Sequence, residues 1–533
     1  MITNIIINIA GFFILLLTVL SQAELWQRKE YRLDRLKSYF KDKEWLSQPW
    51  KILVMSFLLF ILASITYYFQ LSLHVLLANI TLLLLAAYHA NRIWKRGVYR
   101  PKRTLKSTLI LIVALALIVI VPFPAYLNYE NPALLWNILI FAVLPVSAFS
   151  TFFINLLSNA RKKSIINHAK SILRGNNHLI TVGITGSFGK TSTKHFLHQI
   201  LSSAGVPHLI SPAHHNDLLP IARDIIARLS PQHKVYISEM GAYRKGEISA
   251  LADLIKPSIG AVTAISNQHL SLFGSIENLA DAKWELVNSL PKNGVAILNA
   301  DDPVIAKRAA TTSQPIIWYS NQEKKNVWAS NVTINNDKIN ATINIGKHAK
   351  DLELNVVGPG ALSNILCASA IAYALKVPPQ EILSSLTLIK PVDRTMQILR
   401  GLANSIVIDD SYSANEQGVI SAIDHLELYK NHNKIIVLSP LIELGSEAAP
   451  VHVRIGEKLA RSKAKVYISG NLYQNQLKQA FQDSQEKSIQ FINSPAKLSR
   501  VLTDQLTDNT VILIEGRIPD TVRQSILNTK SSK

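Results

Sequence analysis

The chain contains the segment Gly183-Ile184-Thr185-Gly186-Ser187-Phe188-Gly189-Lys190-Thr191-Ser192-Thr193. An apolar run at 180–184 precedes it and predicts a β-strand, and the residues that follow it have the pattern of a helix. A glycine-rich turn between a strand and a helix is the context in which a loop binds phosphate groups. The spacing departs from the common GxxxxGK[ST] form, because position 184 is Ile rather than Gly.

The residue types in this loop match the chemistry of a bound nucleotide. Gly186 and Gly189 allow backbone N–H groups to turn toward phosphate oxygens, and the start of the following helix adds a partial positive charge. The Lys190 ammonium can neutralise the β- and γ-phosphates, and the Thr191 hydroxyl is a ligand for Mg²⁺. The segment therefore predicts a phosphate-binding loop.

On the C-terminal side of this loop, short apolar runs rich in Val and Ile alternate with amphipathic segments. This alternation is typical of βαβ units built around a parallel sheet. The predicted strands are 180–184, 235–238, 261–265, 295–299, 406–408, 434–438, 465–469 and 510–514. Residues 326–354 instead predict short antiparallel strands. We place a boundary near Pro391, so that the domains are predicted at 179–390 and 391–533.

The N-terminal part of the chain has a different character. Residues 1–160 contain five apolar stretches, at 2–20, 52–69, 71–88, 109–127 and 133–157, and a basic linker follows at 161–178. Each stretch approaches the roughly 20 residues that an α-helix needs to cross a bilayer. We therefore predict an α-helical membrane domain of five spans, followed by the α/β domains.

The loops between these stretches predict the orientation in the membrane. Lys and Arg are concentrated after the first, third and fifth stretches, and the alternate connections around Gln70 and at 128–132 have none. Positively charged loops stay in the cytoplasm. The pattern predicts a multi-pass protein of a bacterial cytoplasmic membrane, with its N-terminus outside and the α/β domains in the cytoplasm. The basic loops also suit contact with anionic membrane lipids, although topology alone accounts for them.

Composition excludes several other classes of protein. The 533 residues are 48% apolar and only 17% charged, which excludes a disordered chain, and a single Cys excludes a disulfide framework. The formal net charge is +20, but residues 1–174 carry +14 of it. The excess therefore belongs mainly to the apolar third, and we predict no nucleic-acid partner.

Several motifs resemble those of the Mur ligases, in the order in which that family has them. They are Ser187-Phe188-Gly189-Lys190-Thr191-Ser192-Thr193-Lys194, Glu239-Met240-Gly241-Ala242, Gly246-Glu247-Ile248, Ser266-Asn267-Gln268-His269-Leu270, Phe273-Gly274-Ser275, Ala282-Lys283-Trp284-Glu285, Asn299-Ala300-Asp301-Asp302, Asp409-Asp410-Ser411-Tyr412-Ser413-Ala414-Asn415 and Ile442-Glu443-Leu444-Gly445. The first and last of these resemble the MurF branch, which joins D-alanyl-D-alanine to UDP-N-acetylmuramoyl-tripeptide. The resemblance covers about 165–520 and implies a P-loop central domain and a Rossmann-like C-terminal domain.

The resemblance also implies roles for particular residues. The nucleotide-binding set is Thr185, Gly186, Ser187, Phe188, Gly189, Lys190, Thr191, Ser192, Asn364, Arg394 and Asp410. The expected ligands of two Mg²⁺ ions are Thr191, Glu239, His269 and Lys283, with Lys283 carbamylated so that a cation becomes a carboxylate-like group. The catalytic set is Lys190, Lys283, His269 and Arg394.

Four features depart from the pattern of the branch. Gly360 stands where the family has His, Ser413 where it has Asn, and Glu515-Gly516-Arg517 where it has Lys-Gly-Ser-Arg. Apolar stretches also occupy the place of the domain that holds the UDP-sugar in that branch. These departures leave the acceptor and the amine substrate open.

We therefore expect a membrane-anchored, ATP-dependent ligase of peptidoglycan precursor synthesis. It would add D-Ala-D-Ala or another amine to a muramoyl-peptide carboxylate through an acyl phosphate. The acceptor is either the soluble UDP-linked precursor or a lipid-linked one. A different class, a non-catalytic nucleotide-binding scaffold for cell-wall assembly, is the competing hypothesis. An ATP-driven transporter has no support, because no second nucleotide-site signature is present.

Overall fold

The computed structural model describes residues 2–28, 50–96, 104, 107–109, 111–112, 116, 132–213, 215–266, 270–412, 414–442, 444–481 and 489–527. These residues form two compact units, Met1–Ser164 and Ile165–Lys533. Each unit has its own hydrophobic core.

The described part of the first unit is helical. Its helices are α1 (Ile2–Arg28), α2 (Trp50–Tyr68), α3 (Leu73–Arg96) and α4 (Pro132–Arg174), of which α4 continues into the second unit. Side chains that include Ala63, Ala78 and Val143 are fully buried between them. Polar groups are paired across the helices, since Asn137 donates to the Ala78 carbonyl at 2.9 Å and Arg92 lies 3.3 Å from Glu24. An unpaired polar group in apolar surroundings costs free energy, and these pairs avoid that cost.

Three helical segments among the described residues are long and apolar enough to cross a membrane. They are Asn4–Gln27, Leu73–Trp94 and Pro132–Arg174. The apolar part of α2, Val54–Tyr68, is shorter, and most of the predicted span at 109–127 lies outside the described residues. The structure therefore supports three of the five predicted spans by length and composition.

The second unit contains two sheets. The first has nine strands in the order β2-β3-β1-β4-β5-β6-β7-β8-β9, and it is parallel from β2 to β7 and antiparallel from β7 to β9. Its strands are β1 (Ile180–Thr185), β2 (His208–Ile210), β3 (Val235–Glu239), β4 (Ile259–Val262), β5 (Val295–Asn299), β6 (Ile316–Ser320), β7 (Val327–Ile334), β8 (Ile339–Ile345) and β9 (His348–Leu354). Strand order reverses beside β1, and ligands of open α/β sheets bind at such a switch point.

The second sheet has six strands in the order β10-β11-β15-β12-β13-β14. They are β10 (Gln397–Arg400), β11 (Ile406–Asp410), β12 (Asn433–Leu438), β13 (Lys465–Ser469), β14 (Ile489–Ile492) and β15 (Thr510–Glu515). Only β10 runs antiparallel to its neighbour. The parallel strands are buried on both faces, which explains why their sequences are continuous apolar runs.

Helices cover both sheets. They are α5 (Lys190–Ser203), α6 (Leu218–Arg228), α7 (Glu247–Ile255), α8 (Leu270–Phe273), α9 (Ile276–Asn288), α10 (Pro303–Ala309), α11 (Pro359–Ala374), α12 (Pro379–Ser385), α13 (Glu416–Glu427), α14 (Ala448–Arg461), α15 (Gln474–Gln479), α16 (Pro495–Thr503) and α17 (Asp520–Ile526). Helix α5 buries Phe196, Leu197, Ile200 and Leu201, which recur at helical spacing and join the core of the first sheet.

Seven of the eight predicted strands coincide with observed strands to within two residues at each end. The eighth is displaced, because the strand predicted at 261–265 is β4, Ile259–Val262. The next residues leave the sheet to support the phosphate-binding loop, since the Ala264 carbonyl accepts a hydrogen bond from Ser187 at 2.7 Å. The antiparallel strands predicted at 326–354 are present as β7 to β9. The short strands β2, β6, β10 and β14 are not predicted from the sequence.

Candidate active site

The segment after β1 forms a tight loop that only glycine permits at two positions. Gly186 has φ 150° and Gly189 has φ 82°, and α5 begins directly after Gly189. A Cβ on Gly186 would lie 2.1 Å from Thr263 Oγ1, and one on Gly189 would lie 2.3 Å from Asn364 Oδ1. Both glycines are therefore required by the close approach of neighbouring segments as well as by the backbone angles.

Two hydroxyl residues of the predicted nucleotide-binding set hold the loop in shape. The Thr185 hydroxyl is buried and donates to the Met240 carbonyl at 3.0 Å. The Ser187 hydroxyl accepts from the Ser266 backbone N–H at 3.0 Å and is also buried. These hydroxyl groups bond to other protein groups, so they stabilise the conformation of the loop.

Lys190 lies on the first turn of α5 with its side chain turned back over the loop. Its Nζ donates to the carbonyls of Gly186 and Ser187 at 2.8 and 3.2 Å. Burial lowers the pKa of Lys190, and the nearby Glu239 carboxylate partly offsets this effect. The Lys190 ammonium is thus held beside the loop by backbone carbonyls, and a phosphate can replace these carbonyls as its partner. An ammonium in this position is suited to bind an anion.

Glu239 ends β3, beside the loop. Strands β1 and β3 are neighbours, and Ile184 pairs with Glu239 in their register. The Thr191 hydroxyl donates to Glu239 Oε2 at 3.0 Å, and the carboxylate is buried. Burial alone would raise the pKa of Glu239, but the charges of Lys194 and Lys190 and the hydrogen bonds to this carboxylate outweigh it and hold the pKa below its ordinary value. A hydroxyl and an ionised carboxylate beside a phosphate-binding loop are the oxygen donors that Mg²⁺ prefers.

Lys283 lies on α9 and is 3% exposed. Burial, together with the nearby Lys190 charge, lowers its pKa to about 7, although Glu247, Glu285 and Glu239 act in the opposite direction. A lysine with this pKa is partly neutral at neutral pH, and the neutral amine is the nucleophilic form. His269 lies outside the described residues. Within the described ranges, no group of three or more His, Cys, Asp and Glu side chains is arranged to hold a metal ion.

A cavity of about 320 Å³ lies between the two sheets of the second unit. Phe188, Gly189 and Ser192 line it from the loop, Asn364 from α11, and Asp410 from the end of β11. The Asn364 side-chain oxygen also accepts from Thr193 at 3.4 Å. Burial raises the pKa of Asp410 to about 7. The predicted nucleotide-binding residues Asn364 and Asp410 thus line one space with the loop.

A second cavity of about 620 Å³ opens on the other side of the loop. Among its lining residues are Lys190, Thr191, Glu239, Arg394 and Arg517. Arg394 has φ 58°, a left-handed conformation that is costly for a residue with a side chain, and its guanidinium lies 2.8 Å from Asp520. Positive charge from both sheets therefore converges on the space in front of the loop.

Comparison with known proteins gives the family. The model for the Mur ligase middle domain matches residues 184–372, and the model for the Mur ligase glutamate ligase domain matches residues 395–518. A UDP-N-acetylmuramoyl-tripeptide--D-alanyl-D-alanine ligase of Mycobacterium leprae is 30% identical over 371 residues, which are 63% of this chain and 71% of that protein. The chain belongs to the Mur ligase family.

Other relatives carry the same name. The ligase of Mycobacterium bovis is 32% identical over 290 residues, which cover 53% of this chain and 56% of that protein. The ligase of Escherichia coli is 29% identical and is covered to 61%. The chain thus spans little more than half the length of several curated relatives that it matches.

Solved structures of Mur ligases share their fold with 68% of this chain. MurF from Acinetobacter baumannii has a TM-score of 0.61 and 23% identity, covering 68% of this chain and 80% of that one. MurF ligase from Thermotoga maritima in complex with ADP has a TM-score of 0.60 and 21% identity, covering 68% and 83%. A pseudomurein peptide ligase type C from Methanothermus fervidus scores 0.53 at 19% identity.

Two of the residues that depart from the Mur ligase pattern, Gly360 and Arg517, line the cavities. Gly360 lines the smaller cavity, and a Cβ there would meet no atom within 4 Å, so the missing family histidine leaves open space. Arg517 lines the larger cavity, whereas Glu515 is 1% exposed. Ser413 lies outside the described residues.

Sequence reasoning missed two residues at this Mur ligase site. Lys194 is fully buried and lies 3.2 Å from Glu239, and its signal was its place one helical turn after Lys190. Tyr412 lines the larger cavity together with Thr191. Both residues belong to recognised motifs, but only the fold shows what they contact.

Proposed function

We propose that this Mur ligase is a membrane-anchored, ATP-dependent enzyme that joins an amine to a muramoyl-peptide carboxylate. The observation that carries the proposal is the cavity in which Lys190, Thr191, Glu239 and Arg394 converge from two sheets. The names of the curated relatives support D-alanyl-D-alanine as the amine and UDP-N-acetylmuramoyl-tripeptide as the acceptor. The proposed reaction converts ATP, the carboxylate and the amine into an amide, ADP and phosphate.

Different residues serve different parts of this reaction. The carboxylate oxygen attacks the γ-phosphorus of ATP and gives an acyl phosphate and ADP, and the amine then attacks the acyl carbon and releases phosphate. The Lys190 ammonium and the Arg394 guanidinium offset the negative charge that gathers when the two anions approach. Residues from both halves of the second unit line the cavity, and exclusion of water during the reaction would protect an acyl phosphate from hydrolysis.

Two of the described residues fit part of the ligand set for the two Mg²⁺ ions that the family implies. Thr191 and Glu239 supply a hydroxyl and a carboxylate oxygen that lie 3.0 Å apart. Lys283 fits only as a carbamate, because a protonated lysine would repel a cation, and we propose that modification together with a ligand role for His269. The bound metal would supply charge neutralisation at the phosphates.

We propose the cytoplasmic face of the membrane as the site of reaction. The three long apolar helices and the positively charged loops support a multi-pass anchor with the ligase unit inside. A membrane anchor also suits a lipid-linked acceptor, for which the apolar helices are the one supporting observation. Comparing turnover on UDP-linked and lipid-linked muramoyl-peptides separates the two acceptors.

The proposal is tested on the full chain purified in detergent. ADP release is measured with ATP, each muramoyl-peptide acceptor, and D-Ala-D-Ala or another amine. We expect release that requires both acceptor and amine, and its loss in Lys190→Ala. Lys245→Ala is the matched control, because Lys245 is half-exposed and pairs with Asp281 at the surface. Full activity of Lys190→Ala, or no turnover of any pair by the wild type, contradicts the proposal.

A further inference from the structure

A second lysine of α5 is completely buried beside the loop. Lys194 is 0% exposed, and its Nζ lies 3.2 Å from Glu239 Oε2. The same ammonium donates to the Pro212 carbonyl at 3.4 Å. Lys194 follows Lys190 by four residues, so both side chains leave the same face of the helix. A buried ammonium is costly unless it is paired, so its partner accounts for its presence there.

The partner carboxylate is held at several points. Glu239 Oε2 accepts from the Thr191 hydroxyl at 3.0 Å as well as from Lys194. The backbone N–H of Glu239 donates to Ser211 Oγ at 3.2 Å. One carboxylate oxygen thus receives two donors from α5, and these contacts fix the rotamer of the side chain.

The two lysines of α5 do different things. Lys190 donates to loop carbonyls and lines the larger cavity, where a phosphate would contact it. Lys194 is not among the residues that line that cavity, and its contacts are to Glu239 and Pro212. Of the two residues that Lys194 contacts, only Glu239 lines that cavity, so Glu239 is the contact through which Lys194 can act on a ligand there.

We propose that Lys194 is a positioning residue that holds Glu239 in the orientation in which its carboxylate binds the divalent cation of the ATP complex. This inference rests on the proposed function, since it concerns the cation that accompanies ATP. The pairing is of the kind by which groups behind a metal ligand orient it and tune its affinity. Replacing a buried ion pair by apolar groups is often neutral for stability, so the pair is better explained by orientation than by stabilisation.

The test measures the binding of Mn²⁺ to the full chain in the presence of a non-hydrolysable ATP analogue. Titration calorimetry and the paramagnetic signal of free Mn²⁺ both report this binding. We expect Lys194→Met to weaken Mn²⁺ binding by about tenfold or more, as other losses behind a metal ligand do. Lys194→Arg, which keeps a donor and a charge, restores most of the affinity. In turnover assays Lys194→Met raises the Mg²⁺ concentration needed for half-maximal rate, while binding of the metal-free nucleotide changes little.

Lys434→Met is the matched control. Lys434 is also buried and pairs with Glu427 at 2.8 Å, but it lies on β12 in the other sheet. We expect this variant to lose thermal stability and to keep the Mn²⁺ affinity of the wild type. Equal weakening of Mn²⁺ binding by the two variants would show a general effect of losing a buried charge and would overturn the inference.

A double-mutant cycle covers the case in which Lys194→Met alone fails to fold. Lys194→Met combined with Glu239→Gln leaves no unpaired buried charge, so the double variant is expected to fold. If Lys194 acts through Glu239, the double variant binds Mn²⁺ no more weakly than Glu239→Gln alone. Additive losses contradict the inference. Absence of nucleotide-dependent Mn²⁺ binding by the wild type is a different result, because it contradicts the proposed function itself.

Discussion

Asp410 and Glu515 lie directly opposite one another at the ends of β11 and β15. Among the described residues no donor reaches either oxygen of Glu515, which is 1% exposed. We expect a proton held between the two carboxyl groups to satisfy them. Burial raises the pKa of Asp410 to about 7 and that of Glu515 well above its ordinary value. The Asp410 carboxyl group raises the pKa of Glu515 further, whereas Glu515 acts in the opposite direction on the pKa of Asp410.

This pair predicts a stability that falls as pH rises. An unfolded carboxyl loses its proton near pH 4, whereas folded Asp410 keeps it to about pH 7. The folded chain therefore binds more protons than the unfolded chain between these values, and the free energy of unfolding decreases from about pH 4 to 7 and beyond. Glu515→Gln is expected to make the free energy of unfolding depend less on pH. At pH 8 the substitution is expected to raise this free energy by on the order of 1–3 kcal/mol, because the new amide donates to Asp410.

Urea unfolding of the wild type and Glu515→Gln between pH 5 and 8 measures the effect. Glu353→Gln serves as the control, since Glu353 is an exposed residue that pairs with Lys338. Parallel pH profiles for wild type and Glu515→Gln would rule out the shared proton.

Gly189→Ala is expected to abolish nucleotide binding. The added methyl would lie 2.3 Å from Asn364 Oδ1, and the residue would keep φ 82°, so the loop must move. Gly205→Ala separates the two effects, because Gly205 has φ 64° and open space around it. We expect Gly205→Ala to cost about 1 kcal/mol of stability with normal ATP binding. Equal ATP affinity for the two variants, measured by calorimetry, contradicts this prediction.

Arg394→Ala is expected to lower kcat by roughly 100-fold or more, because it removes a guanidinium that lines the larger cavity together with Lys190. Arg394→Lys recovers only part of the activity, since an ammonium lacks the planar fork. Arg308→Ala is the control, because Arg308 makes a similar ion pair, at 2.7 Å with Asp281, away from the cavities. Steady-state kinetics of the three variants decide whether Arg394 acts in the reaction.

The charge pattern predicts which segments face the outside. A cysteine introduced at Asn128, in a connection without Lys or Arg, is expected to react with a membrane-impermeant maleimide in intact cells. One at Lys347, in the exposed turn between β8 and β9, is expected to react only after lysis. The native Cys367 is buried and gives little background. Labelling of Lys347→Cys in intact cells would show that the second unit lies outside the cell, where ATP is scarce.

Local features made much of this molecule predictable. The order of glycine, lysine and threonine after an apolar run identified the loop, because phosphate binding needs those groups within a few residues of one another. Continuous apolar runs identified the parallel strands, since burial on both faces leaves few polar positions. The family motifs directed attention to Glu239 and Asp410, but the neighbours of these residues across the sheets could be identified only from the fold.

The amino-acid sequence by itself determined the strand–loop–helix that forms the site, the alternation of strands and helices around it, and the apolar helices that precede it. Each of these depends on residues close in the chain, where periodicity and turn chemistry act. Only the tertiary structure decided that Lys194 pairs with Glu239 and Asp410 with Glu515, 45 and 105 residues apart. Strand order and packing bring such groups together, and once they are buried their partners determine their charge, a property that no local pattern contains.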